Sequence, residues 1–235
     1  MKYKSRGVSL TYIKHGESSI ISKILTEERG VQSFFIRGVR SKKAQKKIHY
    51  FEPLKLLTID AKYNPKNSLQ YLEDMSIEKH FEKSFNKMHK DFVAIFIAEV
   101  NAVVLQENEQ NKLLFNFIWN ETENLYTTQE LSPNFALLYL IKLSRFLGFY
   151  PSIKNINRPF FNLESGEFSE NKTHYSMCLN MDLSTYLKSL LLKKETIIPS
   201  QKRSELLRAL LIYFKCHDHS LESVTSHLII ESFKR

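Results

Sequence analysis

The spacing of apolar positions changes once along the chain, near residues 76–80. Before that point apolar residues alternate with polar ones or fall in short β-branched runs. Val8–Lys14 reads as a strand closed by His15-Gly16, and Ser18–Thr26 carries Ile20, Ile21, Ile24 and Leu25. Glu27-Glu28-Arg29-Gly30 reads as a tight hairpin connection, with glycine where a positive φ is needed. Val31–Arg37 is a third strand, with Phe34 and Ile36 on one face and Phe35 and Arg37 on the other. Arg40–Lys47 is a basic loop poor in apolar residues. Leu54–Asp60 and Ser68–Met75 follow as strands around the turn residues Asn64-Pro65-Lys66-Asn67. Five short strands in about 75 residues predict a small Greek-key barrel of the OB type, and an SH3-like barrel fits the same pattern.

From Ile77 onward the period lengthens. Phe81, Phe85, Met88, Phe92, Ile95, Phe96 and Val100 recur at three- and four-residue steps, the spacing of an amphipathic helix. Leu113, Leu114, Phe117 and Ile118 begin another. Asn134–Phe149 is apolar nearly all round and reads as the central buried helix of a bundle, stopped at Gly148. Residues 151–177 have prolines, a Ser165-Gly166 turn and no helical period, so they predict an irregular or hairpin insert. Leu183–Leu192, Lys202–Phe214 and Leu221–Phe233 are helical again. The expected fold class is α+β: an N-terminal OB-fold β-barrel at 1–78, then an all-α helical domain at 79–235 with a small irregular or β insert at about 151–177.

Composition narrows the chemistry. The 235 residues are 43% hydrophobic and 25% charged, ordinary values for a folded chain. The two cysteines, Cys178 and Cys216, cannot build a disulfide framework or a four-cysteine zinc site, which points to a reducing compartment. The charged N-terminus has no apolar stretch behind it, and the longest apolar run, Phe92–Leu105, is broken by Glu99 and Asn101. A cytoplasmic, nucleoid-associated protein with no membrane partner is expected. No Gly-rich phosphate loop, GxSxG or HExxH pattern is present, so the chain does not read as an enzyme, and no cofactor is expected.

Charge is unevenly placed. The net charge is +9; residues 1–80 hold 16 Lys or Arg against 8 Asp or Glu, and residues 81–235 hold 18 against 17. The basic excess therefore sits in the barrel module, the footprint of a polyanion-binding surface. Arg37, Arg40, Lys42, Lys43, Lys46 and Lys47 put six cations within eleven residues, beside the strand that carries Phe34 and Phe35. Cations neutralise phosphates without regard to sequence, and an aromatic such as Phe35 on an OB face stacks bases. The plain alternative is a solvated lysine-rich loop. Cys216-His217-Asp218-His219 with His227 has the wrong spacing for a metal site and reads as a polar helix connection. Glu27-Glu28 and Glu73-Asp74 read as exposed charges at strand ends, and Phe146, Phe149, Phe160 and Phe161 as core.

Several short elements, in order, resemble the RecO family of DNA recombination and repair proteins. They are Val8–Lys14, Gly16-Glu17-Ser18, Ile24-Leu25-Thr26-Glu27 running to Gly30, and Arg37-Gly38-Val39-Arg40-Ser41-Lys42-Lys43. Phe51-Glu52-Pro53-Leu54, Leu147-Gly148-Phe149-Tyr150-Pro151 and Phe160–Phe168 follow, then Arg203–Tyr213 and His219-Ser220-Leu221-Glu222-Ser223. The resemblance implies a non-enzymatic mediator that binds single- and double-stranded DNA and anneals complementary strands. It also implies that the protein acts with RecR, engages the acidic C-terminal tail of single-strand-binding protein and helps load RecA, an indirect partner. Many members carry a four-cysteine zinc site in the insert, but residues 152–175 contain no cysteine, so no structural metal is expected. For the tail, the helix Asn134–Phe149 offers Leu138, Ile141 and Phe146 as a groove and Lys142 and Arg145 as its cations; those two also suit the helix C-terminal dipole. The alternative function is an RNA-binding OB module of the translation or ribosome-assembly kind, and a nuclease comes third.

Overall fold

A computed structural model describes residues 1–39, 45–81, 87–172 and 177–232. They form two compact units, residues 1–131 and 132–235.

The first unit is built on a closed barrel. Its strands are β1 (Lys2–His15), β2 (Ser19–Thr26), β3 (Gly30–Ile36), β4 (Leu56–Lys62) and β5 (Leu69–Ile77). They close in the order β1-β2-β3-β5-β4, with β3 and β5 parallel and β1 returning to β4 antiparallel. That order is of the OB kind and removes the SH3-like alternative. The predicted alternation on β3 holds, because Phe34 and Ile36 are buried while Phe35 is half-buried and Arg37 exposed. Ile20, Ile24, Phe34, Phe51, Leu57 and Ile59 fill the interior. The basic stretch 40–47 is not all loop: Gln45–Phe51 is a 3-10 helix. Phe51 is fully buried and Ile48 packs against the same core, so apolar residues just beyond the lysines pull this turn onto the barrel.

Helices α1 (Lys87–Val104) and α2 (Lys112–Thr127) belong to the same unit. Fully buried Lys90 on α1 donates to the carbonyls of Tyr126 (3.2 Å) and Thr128 (2.5 Å), which satisfies the C-terminal end of α2. The α1–α2 connection lies along β3: Asn108 N–H donates to Val31 O at 3.0 Å, and Gln32 Nε2 donates to Asn108 Oδ1 at 3.0 Å. Glu107 accepts from Ser33 Oγ at 2.9 Å and pairs with Lys23 at 3.6 Å. Arg6 on β1 makes a two-pronged pair with Glu27, both hydrogen bonds 2.9 Å, and its guanidinium lies 4.8 Å from the Trp119 ring centroid on α2. Glu27 is thus an anchored partner, not the idle turn charge its position suggested.

The second unit holds α3 (Phe135–Phe146), α4 (Met181–Leu191), α5 (Ser200–Cys216) and α6 (His227–Ser232), with a two-stranded hairpin of β6 (Phe160–Asn162) and β7 (Glu167–Ser169). Eight of the twelve α3 residues are buried, as a central helix requires, and Gly148 takes a φ of 89° just past its end. The hairpin carries Phe161 and Phe168 inward at a centroid distance of 5.0 Å, and Phe161 meets Tyr213 of α5 edge-on at 5.6 Å. The final helix is shorter than its apolar pattern predicted. Leu221 and Val224 are buried on a single turn, Val224 N–H donating to Leu221 O at 3.0 Å, and the helix starts only at His227. No helix among the described residues is long and apolar enough to cross a membrane.

Two glycines test the packing. Gly30 has a φ of +63°, and a Cβ there would lie 2.0 Å from Glu109 O; Gly16 has a φ of +60° with nothing within 4 Å. Gly30→Ala is expected to cost about 3 kcal/mol or more in urea denaturation, from both the left-handed backbone and the clash. Gly16→Ala is expected to cost only about 1–2 kcal/mol, the backbone part alone. A second expectation concerns acid. The Arg6 hydrogen bond holds the Glu27 carboxyl below its ordinary range. Its contribution is complete above the unfolded carboxyl pKa of about 4.3 and is lost as pH falls through the lower folded-state value. The stability cost of Glu27→Gln should therefore shrink as denaturation is repeated from about pH 6 down to about pH 3.

Candidate nucleic-acid interface

Strand pairing decides which barrel face is available. On the outer surface of β2 and β3, Lys23 stands opposite Ser33 in the ladder, and both are engaged by Glu107 from the α1–α2 connection. The next row along is not covered in this way. Ile13 is opposite Ile21, and Ile21 is opposite Phe35. Because β3 and β5 run parallel with Phe34 facing Gln70, Tyr71 stands beside Phe35. The row crosses four strands and is open at its ends, with Ile13 64% and Tyr71 47% exposed.

Phe35 is the centre of this row. The His15 ring meets it edge-on at 5.4 Å, Tyr71 meets it edge-on at 6.4 Å, and the Arg37 guanidinium lies 5.5 Å from its centroid. Beside them is a groove of about 550 Å³, whose walls include Arg37, Lys47 and Tyr50 on one side and Tyr71, Glu73 and Asp74 of β5 on the other. Aromatic faces next to cations can hold bases and phosphates together. Of the predicted contact residues, Phe35, Arg37 and Lys47 come together at this groove. Arg40, Lys42 and Lys43 lie outside the described residues, as does the side chain of Lys46. The sequence pattern gives no sign of His15, Tyr50 and Tyr71, whose place depends on strand pairing and on the 3-10 turn.

The carboxylates on β5 also stand elsewhere than expected. Asp60 pairs with Asp74 and Ala61 with Leu72, so β5 carries one extra residue, Glu73, opposite this step of β4. The bulge breaks the alternation, and Glu73 and Asp74 both face solvent in mid-strand instead of at a strand end. Two hydrogen-bonded lysines, Lys62 (2.5 Å) and Lys2 (3.0 Å), keep the Glu73 carboxyl below its usual range.

The second unit contains a different cavity, about 810 Å³, lined by Leu138, Leu190, Ile197 and Ile198 with Lys142, Lys193, Lys194 and Arg203 among its cations. The connection between α4 and α5 forms one wall. It is tied down by Asn134 Nδ2 donating to Thr196 O at 3.0 Å and Arg203 Nη1 donating to Ile198 O at 2.7 Å. Ile197 is 95% exposed at the rim. Of the residues expected on α3, Leu138 and Lys142 line this cavity; Ile141 is buried in the core, and the Arg145 guanidinium lies 4.2 Å from the Tyr150 ring centroid. The sequence signal for this cavity is Lys193-Lys194, directly after a helix end, which the helix pattern alone does not single out.

The histidines near Cys216 are occupied with packing. His217 stacks on Phe149 at 4.9 Å and 5°, and His219 stacks on the same ring at 5.4 Å. Burial pushes the His219 pKa down and the Cys216 pKa up. Among the described residues no three His, Cys, Asp or Glu side chains come together as a metal would need.

Comparison with known proteins covers nearly the whole chain. Residues 1–81 match the family model described as Recombination protein O N terminal, and residues 86–219 match that described as Recombination protein O C terminal. The chain is 30% identical over 222 residues to the DNA repair protein RecO of Flavobacterium johnsoniae, covering 92% of each. It is 31% identical over 223 residues to that of Flavobacterium psychrophilum, again 92% of each. The Bacteroides fragilis protein of the same name is 29% identical over 224 residues, 92% of this chain and 93% of the relative.

Proposed function

The chain belongs to the RecO family, and on that premise we propose that it is a non-enzymatic DNA-binding mediator of recombinational repair that uses the Phe35 row and its groove to hold DNA. The observation that carries this reading is the meeting of Phe35, Tyr71, Arg37 and Lys47 at one groove on the barrel face. Aromatic faces give sequence-tolerant stacking and cations give phosphate neutralisation. Such a surface suits a protein that must bind strands of any sequence and bring complements together. Annealing of complementary strands, cooperation with RecR and assistance to RecA loading follow from the family premise and complete the proposal.

The cation-rimmed cavity of the second unit supports a second part of the same proposal, a receptor for the acidic C-terminal tail of single-strand-binding protein. An apolar floor of Leu138, Leu190 and Ile198 suits the tail's apolar end, and Lys142, Lys193, Lys194 and Arg203 suit its carboxylates.

Each part has its own measurement. Replacing Arg37 and Lys47 together with Arg40, Lys42, Lys43 and Lys46 by Ala should weaken DNA binding equally for unrelated sequences. It should also flatten the dependence of log affinity on log salt by about 0.7–0.9 for each phosphate that is no longer neutralised. Wild-type affinity and slope in fluorescence anisotropy would rule out the barrel as the DNA site. An annealing assay on strands coated with single-strand-binding protein separates this reading from an RNA-binding one, which predicts preference for RNA and no annealing. For the tail, Lys142→Ala with Lys194→Ala should lower the affinity of a fluorescent tail peptide by about tenfold or more, whereas Arg145→Ala, whose cation sits on Tyr150, should change it by about twofold at most. Unchanged binding by the first variant would place the receptor elsewhere.

A further inference from the structure

The barrel groove has walls of opposite charge, and that asymmetry bears on which form of DNA it accepts. Arg37 and Lys47 stand on one side, while Glu73 and Asp74 are presented by β5 on the other. The bulge at Glu73 produces the second wall: without the extra residue, only alternate positions of β5 would face outward, and two consecutive carboxylates would not share the surface. The two differ in their state. Glu73 is neutralised by Lys2 and Lys62, whereas Asp74 has no ion-pair partner among the described residues and faces Asp60 across the ladder. Asp74 is thus the carboxylate of this wall that no lysine among the described residues neutralises.

We propose that Asp74, placed outward by the β5 bulge, makes this groove discriminate against duplex DNA, so that the barrel takes one unpaired strand. The inference rests on the reading of the groove as the DNA site. An unpaired strand has one phosphate backbone, which Arg37 and Lys47 receive, and bases whose faces are free to stack on Phe35 and Tyr71. A duplex hides its base faces inside the stack. It also carries a second backbone across grooves about 6 and 12 Å wide, which meets the carboxylate wall when the first backbone lies on the cations. Repulsion between like charges in an interface suppresses the wrong partner more than it strengthens the right one.

The test uses the full chain and two labelled probes, a single-stranded oligonucleotide and the duplex of the same length, titrated by anisotropy at fixed low salt. Asp74→Asn and the charge-reversing Asp74→Lys should raise duplex affinity stepwise, by about fivefold and about twentyfold, while single-strand affinity rises by about twofold at most. Tyr71→Ala should lower single-strand affinity by about tenfold and leave duplex affinity within about twofold. Both residues are exposed, so the variants keep their fold, and thermal melting checks this. Equal gains for both probes on Asp74→Lys would reduce the residue to a contribution to net charge and overturn the proposal. No change for either probe would overturn it as well. If Arg37→Ala with Lys47→Ala leaves both affinities at wild type, the groove is not the DNA site, and the underlying reading fails instead.

Discussion

The approach of the Glu109 carbonyl to the Cα of Gly30, so close that any Cβ would stand 2.0 Å away, sets the arrangement of the first unit. It lets the α1–α2 connection lie along β3, where Val31 accepts from Asn108 and Ser33 reaches Glu107. Arg6, held by Glu27 from the same hairpin and lying over Trp119, fixes α2 against β1. Among the described residues, the α1–α2 connection thereby engages one row of the outer barrel face, that of Lys23 and Ser33, and not the row of Ile13, Ile21, Phe35 and Tyr71, whose ends are exposed. The candidate interface lies beside the row that the α1–α2 connection engages.

The two units use burial differently. In the first, buried polar groups are satisfied at the joints: Lys90 caps α2, and Gln70 gathers the turn before β5 through Asn64 and Asn67. In the second, the joint between hairpin and helices is aromatic, with Phe149, Phe161, Phe168, Tyr213 and Phe214 packed ring against ring. Tyr213 also donates its hydroxyl hydrogen to Phe149 O, and Gly166 leaves the space that this ring occupies.

Much of this architecture was legible from local pattern. β-Branched alternation marked the strands, and glycine at position 30 marked the tight turn, because both signals depend on residues near one another in the chain. The 3-10 turn Gln45–Phe51 is hidden because its first three residues continue the basic run from Arg40, whereas Ile48 and Phe51 beyond them decide its conformation. The apolar spacing overstates the last helix, because Leu221 and Val224 have helical spacing yet pack as one turn. The candidate interface is half visible in the sequence. Phe35 and Arg37 share a face by alternation alone, but Tyr71 reaches Phe35 only through the parallel β3–β5 pairing. The outward pair Glu73-Asp74 depends on a ladder irregularity that involves β4; the break in alternation between Leu72 and Met75 does not by itself say which residue of the partner strand each one opposes.

The aromatic joint of the hairpin has a bearing on the conditions in which the protein has to work. A cysteine-held zinc module depends on thiolates, and oxidants that damage DNA also convert thiolates to disulfides and sulfenic acids, releasing the metal. Here the same region of the chain, residues 152–175, has no cysteine, and Phe161 and Phe168 are packed against Tyr213 of α5. Cys178, the cysteine nearest the hairpin, is buried. The second unit thus has no thiolate cluster to lose under oxidative stress, the circumstance in which repair is most in demand.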